Sequence, residues 1–285
     1  MVAVDDGLQM RCKAVVSGDI VELYFYKVPV NCCYERKHLI EKREVSEDTE
    51  KRNDNLFRAR KNIRQIIWSN QSKYTKFITL TYADTVFDIK KVRYDISKFV
   101  KNMKNRGYDM KYLYVLENQK KRGVKENNKG SLHVHMVLFI DKYIPKEDID
   151  KSWKKGYTGI NAIEDVRNLG AYVCKYITKD NLQEFGKRTF SCSLGLDRPE
   201  EERFYTLGFS DTAVDFQPEE VLRNLNVSYH KKLIHDYLDP TTGEGRNQEV
   251  MYYQGKWKNG NIIKEKDPLY ELKRQIDSLH ISEDD

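Results

Sequence analysis

Hydrophobic and polar residues alternate along much of the chain with the two-residue period that is typical of β-strands. Residues 9–30 alternate on both sides of Ser17-Gly18-Asp19, which predicts an antiparallel hairpin. Further strands, most of them rich in β-branched and aromatic side chains, are predicted at 77–82, 112–117, 132–139 and 160–163. The chain is therefore expected to build a substantial β-sheet.

A helical period of about 3.6 residues recurs between these strands. Helices are predicted over 56–68, 88–105, 145–153 and 166–179. The highly charged stretch 41–55 is interpreted as a linker or as the exposed start of the first helix. Because helices and antiparallel strands are mixed, the order favours an α+β fold, an antiparallel sheet with helices on one face, over a doubly wound parallel sheet.

The composition is that of a soluble, folded protein, and we expect it to be cytoplasmic. Of the 285 residues, 39% are hydrophobic and 33% are charged, and neither a membrane-spanning run nor a secretory signal is visible. The five cysteines form no CxxC pair, which favours reduced thiols. No phosphate-binding glycine motif occurs, so a nucleotide-driven motor is not supported.

Charge is distributed unevenly along the chain. Residues 1–198 hold 39 Lys and Arg against 26 Asp and Glu, whereas residues 199–285 hold 11 against 18. Residues 90–129 alone carry 13 basic and 4 acidic side chains, so a polyanion is the natural partner. The alternative is a solvated helix face followed by a lysine-rich loop. We divide the chain into an N-terminal hairpin and linker (1–55), a central domain (56–200) and an acidic accessory region (201–285).

The sequence His133-Val134-His135 is the most specific local signal for chemistry. Residues two apart in a strand project to one face, so both imidazoles can approach the same ion. Glu117 ends the preceding strand and returns beside them if the two strands pair antiparallel. This predicts a metal site of two histidines and one carboxylate, but the ligand set suits zinc, iron, Mg²⁺ or Mn²⁺. Alternatively, the histidines are ordinary sheet residues.

The second chemical signal is a double YxxK pattern in the helix predicted over 166–179. Tyr172, Lys175, Tyr176 and Lys179 are spaced to form one stripe of two phenols and two ammonium groups. The stripe is expected to flank the face that docks on the sheet. A phenol is a poor nucleophile at neutral pH unless a cation stabilises its phenolate, and a lysine one turn away can do so. Alternatively, the tyrosines only pack and the lysines are solvated.

Together these residues resemble the rolling-circle replication initiators of the HUH endonuclease superfamily. The resemblance rests on Ile78-Thr79-Leu80-Thr81, Glu117, the histidine pair and the Tyr172–Lys179 run, and it covers about residues 56–200. The two-tyrosine run is similar to that of initiators from single-stranded DNA phages and related plasmids. The segment 190–199 also looks like the one that follows the tyrosine helix in phage replication-associated proteins.

The resemblance implies an antiparallel sheet flanked by helices, with the histidine pair on a central strand and the tyrosine helix opposite it. It implies that Glu117, His133 and His135 hold a divalent metal, Mg²⁺ or Mn²⁺. A tyrosine would then cut single-stranded or hairpin origin DNA, forming a 5′-phosphotyrosine link and leaving a 3′-OH that primes synthesis. Tyr172 and Tyr176 are the candidate nucleophiles, and Lys175 and Lys179 are the candidate groups for stabilising negative charge.

Basic side chains near this site are the candidate DNA contacts. They are Arg58, Arg60, Lys61, Arg64, Lys120, Lys121 and Arg122. The last three begin a long basic loop at 120–130, where the family usually runs closely from the acidic strand to the histidines. Thr79 and Thr81 are assigned only a scaffold or DNA-contact role. Because no helicase motif is present, host helicase and DNA polymerase are the expected partners.

Three alternatives remain open from the sequence. A two-tyrosine transposase or relaxase would use the same chemistry for another purpose. A non-catalytic DNA-binding regulator would share the basic surface but not the reaction. A hydrolase or oxygenase with two histidines and one carboxylate would act on small molecules.

Overall fold

The computed structural model describes residues 9–31, 47–119, 131–161, 166–177, 190–206, 222, 225–238 and 245–257. The chain divides into two compact units. One unit comprises residues 45–198, and the other combines residues 1–44 with residues 199–285. The second unit thus joins the N-terminal hairpin and the C-terminal region, which the sequence analysis treated as separate segments.

The 45–198 unit contains a five-stranded antiparallel sheet with four helices in its described part. Its strands, in spatial order, are β6 (Thr158–Asn161), β3 (Lys76–Leu80), β5 (Ser131–Phe139), β4 (Lys111–Gln119) and β7 (Ser191–Cys192). Its helices are α1 (Glu47–Asn70), α2 (Ile89–Asn105), α3 (Lys146–Trp153) and α4 (Val166–Cys174). Every strand pair is antiparallel, so the predicted α+β class is confirmed.

Strand β5 lies at the centre of the sheet and is buried along its whole length. Leu132, Val134, Met136 and Leu138 face a core that α2 and α3 complete. Val137 and Phe139 face the opposite core, which α1 and α4 complete. The expectation of helices on only one face is therefore wrong. Both faces of the central strand carry apolar side chains, and each face requires a cover.

The helix ends follow local capping rules only in part. Helix α2 begins after Asp88, whose side chain accepts a hydrogen bond from Lys90 N, and it is followed by Gly107 at φ +81°. Helix α1 begins at Glu47, so part of the charged 41–55 stretch is helical. Helix α4 ends at Cys174 and not at Lys179 as the period predicted.

The second unit is built around another five-stranded antiparallel sheet. Its strands, in spatial order, are β8 (Glu200–Thr206), β1 (Gln9–Ser17), β2 (Ile20–Asn31), β10 (Gly245–Trp257) and β9 (Leu225–Leu238). The predicted hairpin is confirmed as β1 and β2, which pair on both sides of the turn at 18–19. One face of this sheet packs an apolar cluster that includes Leu23 and Phe25.

None of the helices in the described ranges has the length and apolar character needed to span a bilayer.

Gly156 provides the first test of the fold. A Cβ at this position would lie 2.4 Å from Thr81 O and 2.4 Å from Ala83 N. Gly156→Ala is therefore expected to lower the free energy of unfolding by about 2–4 kcal/mol, because backbone must move to admit the methyl group. Urea unfolding followed by tryptophan fluorescence measures this loss, and the nearby Trp153 is a suitable reporter since its Nε1 donates to Thr81 O.

Gly159→Ala is the matched control. A Cβ at Gly159 would meet its nearest neighbours at 3.7 Å, which is ordinary van der Waals contact. The expected change is below about 1 kcal/mol. Equal destabilisation by the two substitutions would contradict the close approach at Gly156.

Candidate active site

The site lies on the face of the sheet that α1 and α4 cover. In the strand register, Thr79 of β3 pairs with His135 of β5, and Glu117 of β4 pairs with His133 of β5. Because side chains alternate along a strand, both histidines, Thr79 and Glu117 project to the same face. The predicted return of Glu117 beside the histidine pair is what the strand pairing produces.

Two threonine hydroxyls orient the imidazole rings. Thr79 Oγ1 lies 3.1 Å from His135 Nδ1, and Thr81 Oγ1 lies 3.4 Å from His133 Nδ1. Both rings are nearly buried, at 5% exposure for His135 and 7% for His133. With Nδ1 of His135 directed at a hydroxyl, Nε2 is the nitrogen that faces the carboxylate on β4.

Glu117 completes a carboxylate–imidazole pair. Its Oε2 lies 2.7 Å from His135 Nε2. This hydrogen bond, with the nearby imidazole charges of His135 and His133, lowers the pKa of Glu117, although partial burial acts in the opposite direction. The carboxylate is therefore held in its ionised form, which is the form that binds cations.

The tyrosine segment leaves the α-helical pattern at the end of α4. The N–H groups of Lys175 and Tyr176 donate to the carbonyls three residues earlier, those of Tyr172 and Val173. These are 3₁₀-type bonds, which tighten the last turn and rotate the following side chains relative to a regular α-helix. The predicted stripe therefore does not continue as an α-helix, and Lys179 lies outside the described residues.

The tight turn brings Tyr176 directly onto the histidine pair. The Tyr176 and His135 rings stack with their centroids 3.5 Å apart and their planes 19° apart. The Tyr176 hydroxyl donates to the Tyr172 hydroxyl at 3.0 Å. Phe77 packs against both phenol rings, at centroid distances of 5.1 Å from Tyr172 and 6.0 Å from Tyr176. The tyrosines are thus half-buried in the site, whereas the sequence placed them at the flank of the docked face.

Electrostatics in this cluster oppose a free phenolate. The pKa of Tyr176 is raised by burial first, then by its hydrogen bond to Tyr172 and by the charge of Glu117. Lys175 supplies a nearby positive charge, since its Nζ lies 5.0 Å from the centre of the Tyr172 ring. A reaction at either oxygen therefore needs a cation to offset the negative charge that develops.

The basic residues of α1 divide into two groups. Arg58 is exposed and Lys61 is half-exposed. Arg60 instead reaches across to the tyrosine segment, where its Nη2 donates to Ile177 O at 2.8 Å. Arg64 packs beneath Gly170, at which a Cβ would lie 3.0 Å from Arg64 Cγ. Arg60 and Arg64 therefore help to seat α4, a role that sequence reasoning missed. Lys120, Lys121 and Arg122 lie outside the described residues.

Phe77 was also missed as a site residue. Alternation along β3 contained the signal, because Phe77, Thr79 and Thr81 are spaced to share one face. What the sequence could not indicate is that this face is the one beneath the tyrosines. That follows from the pairing of β3 with β5, in which Thr79 lies opposite His135.

The donor atoms are compatible with a divalent metal, although the structure does not present a ready-made cage. Within the described ranges, no group of three His, Cys, Asp or Glu side chains is arranged to hold a metal ion. Two neighbouring ligand atoms around Mg²⁺ or Mn²⁺ lie about 3 Å apart. The 2.7 Å between Glu117 Oε2 and His135 Nε2 would need to widen by only a few tenths of an ångström. Hydroxyl groups on the Nδ1 side are the outer contacts that metal-bound imidazoles usually make.

Comparison with known proteins gives a family match for the central part of the chain. Residues 75–181 match the model of a family described as replication-associated protein, ORF2 type. The matched segment runs from just before β3 to just past the tyrosine segment, so it contains Glu117 and both histidines. The search of curated proteins and the search of solved structures returned no significant match. The family match supports a Rep-like replication protein.

Proposed function

We propose that this protein is a replication initiator that nicks and rejoins single-stranded origin DNA through a 5′-phosphotyrosine intermediate. The observation that carries the proposal is the stack of Tyr176 on His135, with Glu117 hydrogen-bonded to the same imidazole. Two phenols, two imidazoles and one carboxylate meet on one face of the sheet. This set suits phosphodiester transfer better than hydrolysis, because a protein oxygen is already present where the nucleophile is needed.

The covalent step exchanges one phosphodiester bond for another. The oxygen of a tyrosine attacks phosphorus, the bond from phosphorus to the 3′ oxygen breaks, and the phenolic proton is balanced by the proton gained by the 3′-OH. The same 3′-OH, or that of a second strand, can attack the phosphotyrosine and release the tyrosine. Since the phosphodiester energy is kept in the intermediate, cutting and rejoining need no ATP. Two tyrosines allow a second cut while the first still holds a DNA end.

Glu117, His133 and His135 are the residues that would hold a divalent metal, Mg²⁺ or Mn²⁺. When bound, the metal would supply Lewis-acid stabilisation of the negative charge on the phosphate. The protein groups do the remaining work. Thr79 and Thr81 orient the imidazoles, and Lys175 offsets charge at Tyr172. Phe77 and the nearly buried histidine rings restrict water around the tyrosines.

Single-stranded DNA is the substrate that this surface favours. Arg58 and Lys61 on α1 offer positive charge for phosphate contacts, and the basic residues 120–122 are proposed to add more. Initiation of rolling-circle replication is the preferred use, because the matched family is described as replication-associated. Host helicase and polymerase would then extend the 3′-OH. A transposase or relaxase with the same chemistry is the second candidate, and the genes beside this one would distinguish the two.

The test is a covalent adduct. End-labelled single-stranded oligonucleotides, tiled over the DNA that surrounds the gene, are incubated with the protein and Mn²⁺. We expect a labelled species that survives denaturation, disappears on protease treatment and does not form in EDTA. Binding without any adduct on any oligonucleotide would favour the non-catalytic regulator instead.

Thr79→Val tests whether the hydroxyl positions His135 for metal binding. Valine preserves the shape of threonine but removes the partner of His135 Nδ1. We expect Mn²⁺ affinity, measured by titration calorimetry, to fall by about 10- to 100-fold. Thr79→Ser keeps the hydroxyl and should restore most of the affinity. Equal affinities for the valine and serine variants would show that the Thr79 hydroxyl does not orient the ligand.

A further inference from the structure

An exposed aromatic ring lies at the edge of the same sheet face. Tyr157 precedes β6, the edge strand that pairs with β3, and its side chain is 69% exposed. Its backbone carbonyl accepts a hydrogen bond from Thr81 N at 2.9 Å. Tyr157 is thus adjacent to the threonine that orients His133.

The ring lies on the active-site side of β6. Gly159 is opposite Thr79 in the strand register. The point that a Cβ of Gly159 would occupy is 3.7 Å from Thr79 Cβ and also 3.7 Å from Tyr157 Cε1. The absent side chain leaves a shallow floor over which the Tyr157 ring extends. Thr79 in turn contacts His135, so only one residue separates the ring from the imidazole pair.

The backbone that carries the ring is held firmly. Ala83 N donates to Lys155 O at 2.8 Å, which places segment 155–157 against segment 81–83. Lys155 Nζ also pairs with the buried Asp95 at 3.3 Å. A ring that is exposed but attached to a fixed backbone loses little entropy when a ligand covers it.

The charge beside the ring indicates the class of ligand. Lys146 Nζ lies 5.9 Å from the centre of the Tyr157 ring. A flat, exposed phenol ring with an ammonium group beside it suits a nucleobase whose neighbouring phosphates are negative.

We propose that Tyr157 is a stacking platform for an unpaired base of single-stranded DNA, next to the nucleotide whose phosphate enters the active site. This role rests on the proposed function, since it assumes that single-stranded DNA crosses the histidine and tyrosine face. Tyr157 contacts the DNA and takes no part in the chemical step. It would therefore set the affinity and register of the strand.

Binding of a labelled oligothymidylate in EDTA, followed by fluorescence anisotropy, tests the platform. We expect Tyr157→Ala to weaken binding about 5- to 150-fold, the range that one base–aromatic stack supplies. Tyr157→Phe keeps the ring and should bind like the wild type. Tyr143→Ala is the matched control, because Tyr143 is 65% exposed and has Lys76 Nζ 4.5 Å from its ring centre, yet Lys76 begins β3 at the end away from Thr79.

Photocrosslinking identifies the stacked residue directly. An oligothymidylate that contains 5-iodouracil is irradiated with the wild-type protein, and the crosslinked peptide is sequenced by mass spectrometry. A crosslink at Tyr157 supports the platform. Unchanged affinity of Tyr157→Ala, or crosslinks that avoid Tyr157, would overturn it. These readouts need no cleavage, so failure to form a covalent adduct would remove the nicking proposal and leave the platform result intact.

Discussion

Replacing both Tyr172 and Tyr176 with phenylalanine is expected to abolish the covalent protein–DNA adduct. The double variant loses only two hydroxyl groups, so both rings can still pack against Phe77 and the His135 stack can remain. Without a phenolic oxygen no phosphotyrosine can form, and we expect adduct yield to fall by at least about 10³-fold. The measurement is the end-labelled oligonucleotide assay with Mn²⁺.

The two hydroxyls must be removed together before the single variants are interpreted. Tyr176 donates to Tyr172 at 3.0 Å, so each single substitution also changes the hydrogen bonding of the other tyrosine. Their effects are therefore not expected to add. Single variants then show which oxygen accepts the DNA, by mapping the labelled peptide.

Tyr94→Phe is the matched control for the double variant. Tyr94 is exposed on α2, which covers the other face of the sheet. Its hydroxyl should be dispensable, and adduct formation should match the wild type. Cleavage that persists in the double variant would identify water or another residue as the nucleophile, and the tyrosine mechanism would be wrong.

Local pattern was sufficient to predict much of the catalytic unit. The alternation in β5 separated Val134 and Met136, which face one core, from His133 and His135, which face the site. Asp88 and Gly107 marked the boundaries of α2 within a residue or two. These features depend on neighbours within a few positions of the chain, and such neighbours are visible in sequence.

Pairings between distant segments were not predictable in the same way. The contact of Thr79 with His135 joins residues 56 positions apart, and it depends on which strands become neighbours in the sheet. In the other unit, Tyr252 bonds Glu22 across 230 positions, so the shared sheet of the two chain ends had no local signal. The 3₁₀ turn after Cys174 likewise reflects packing against Phe77 and His135, which overrides the helical period.

His133→Ala is expected to remove metal binding and cleavage together while preserving most of the affinity for DNA. His133 lies opposite Glu117 in the strand register and is proposed to be one of three metal ligands. Loss of one ligand should weaken Mn²⁺ binding by more than the roughly 10- to 100-fold that outer contacts cost, and adduct formation should fall at least in proportion. Titration calorimetry with Mn²⁺ and the adduct assay measure the two effects on the same preparation.

Two further variants separate ligand loss from general damage. His133 is nearly buried, so His133→Gln is included because it fills more of the space than alanine while providing a poorer ligand than imidazole. His230→Ala is the matched control, since His230 lies on β9 in the other unit. DNA binding in EDTA should be similar for all three variants, because phosphate contacts come mainly from other basic residues. If His133→Ala binds Mn²⁺ and forms adduct as the wild type does, the proposed ligand set of Glu117, His133 and His135 is wrong.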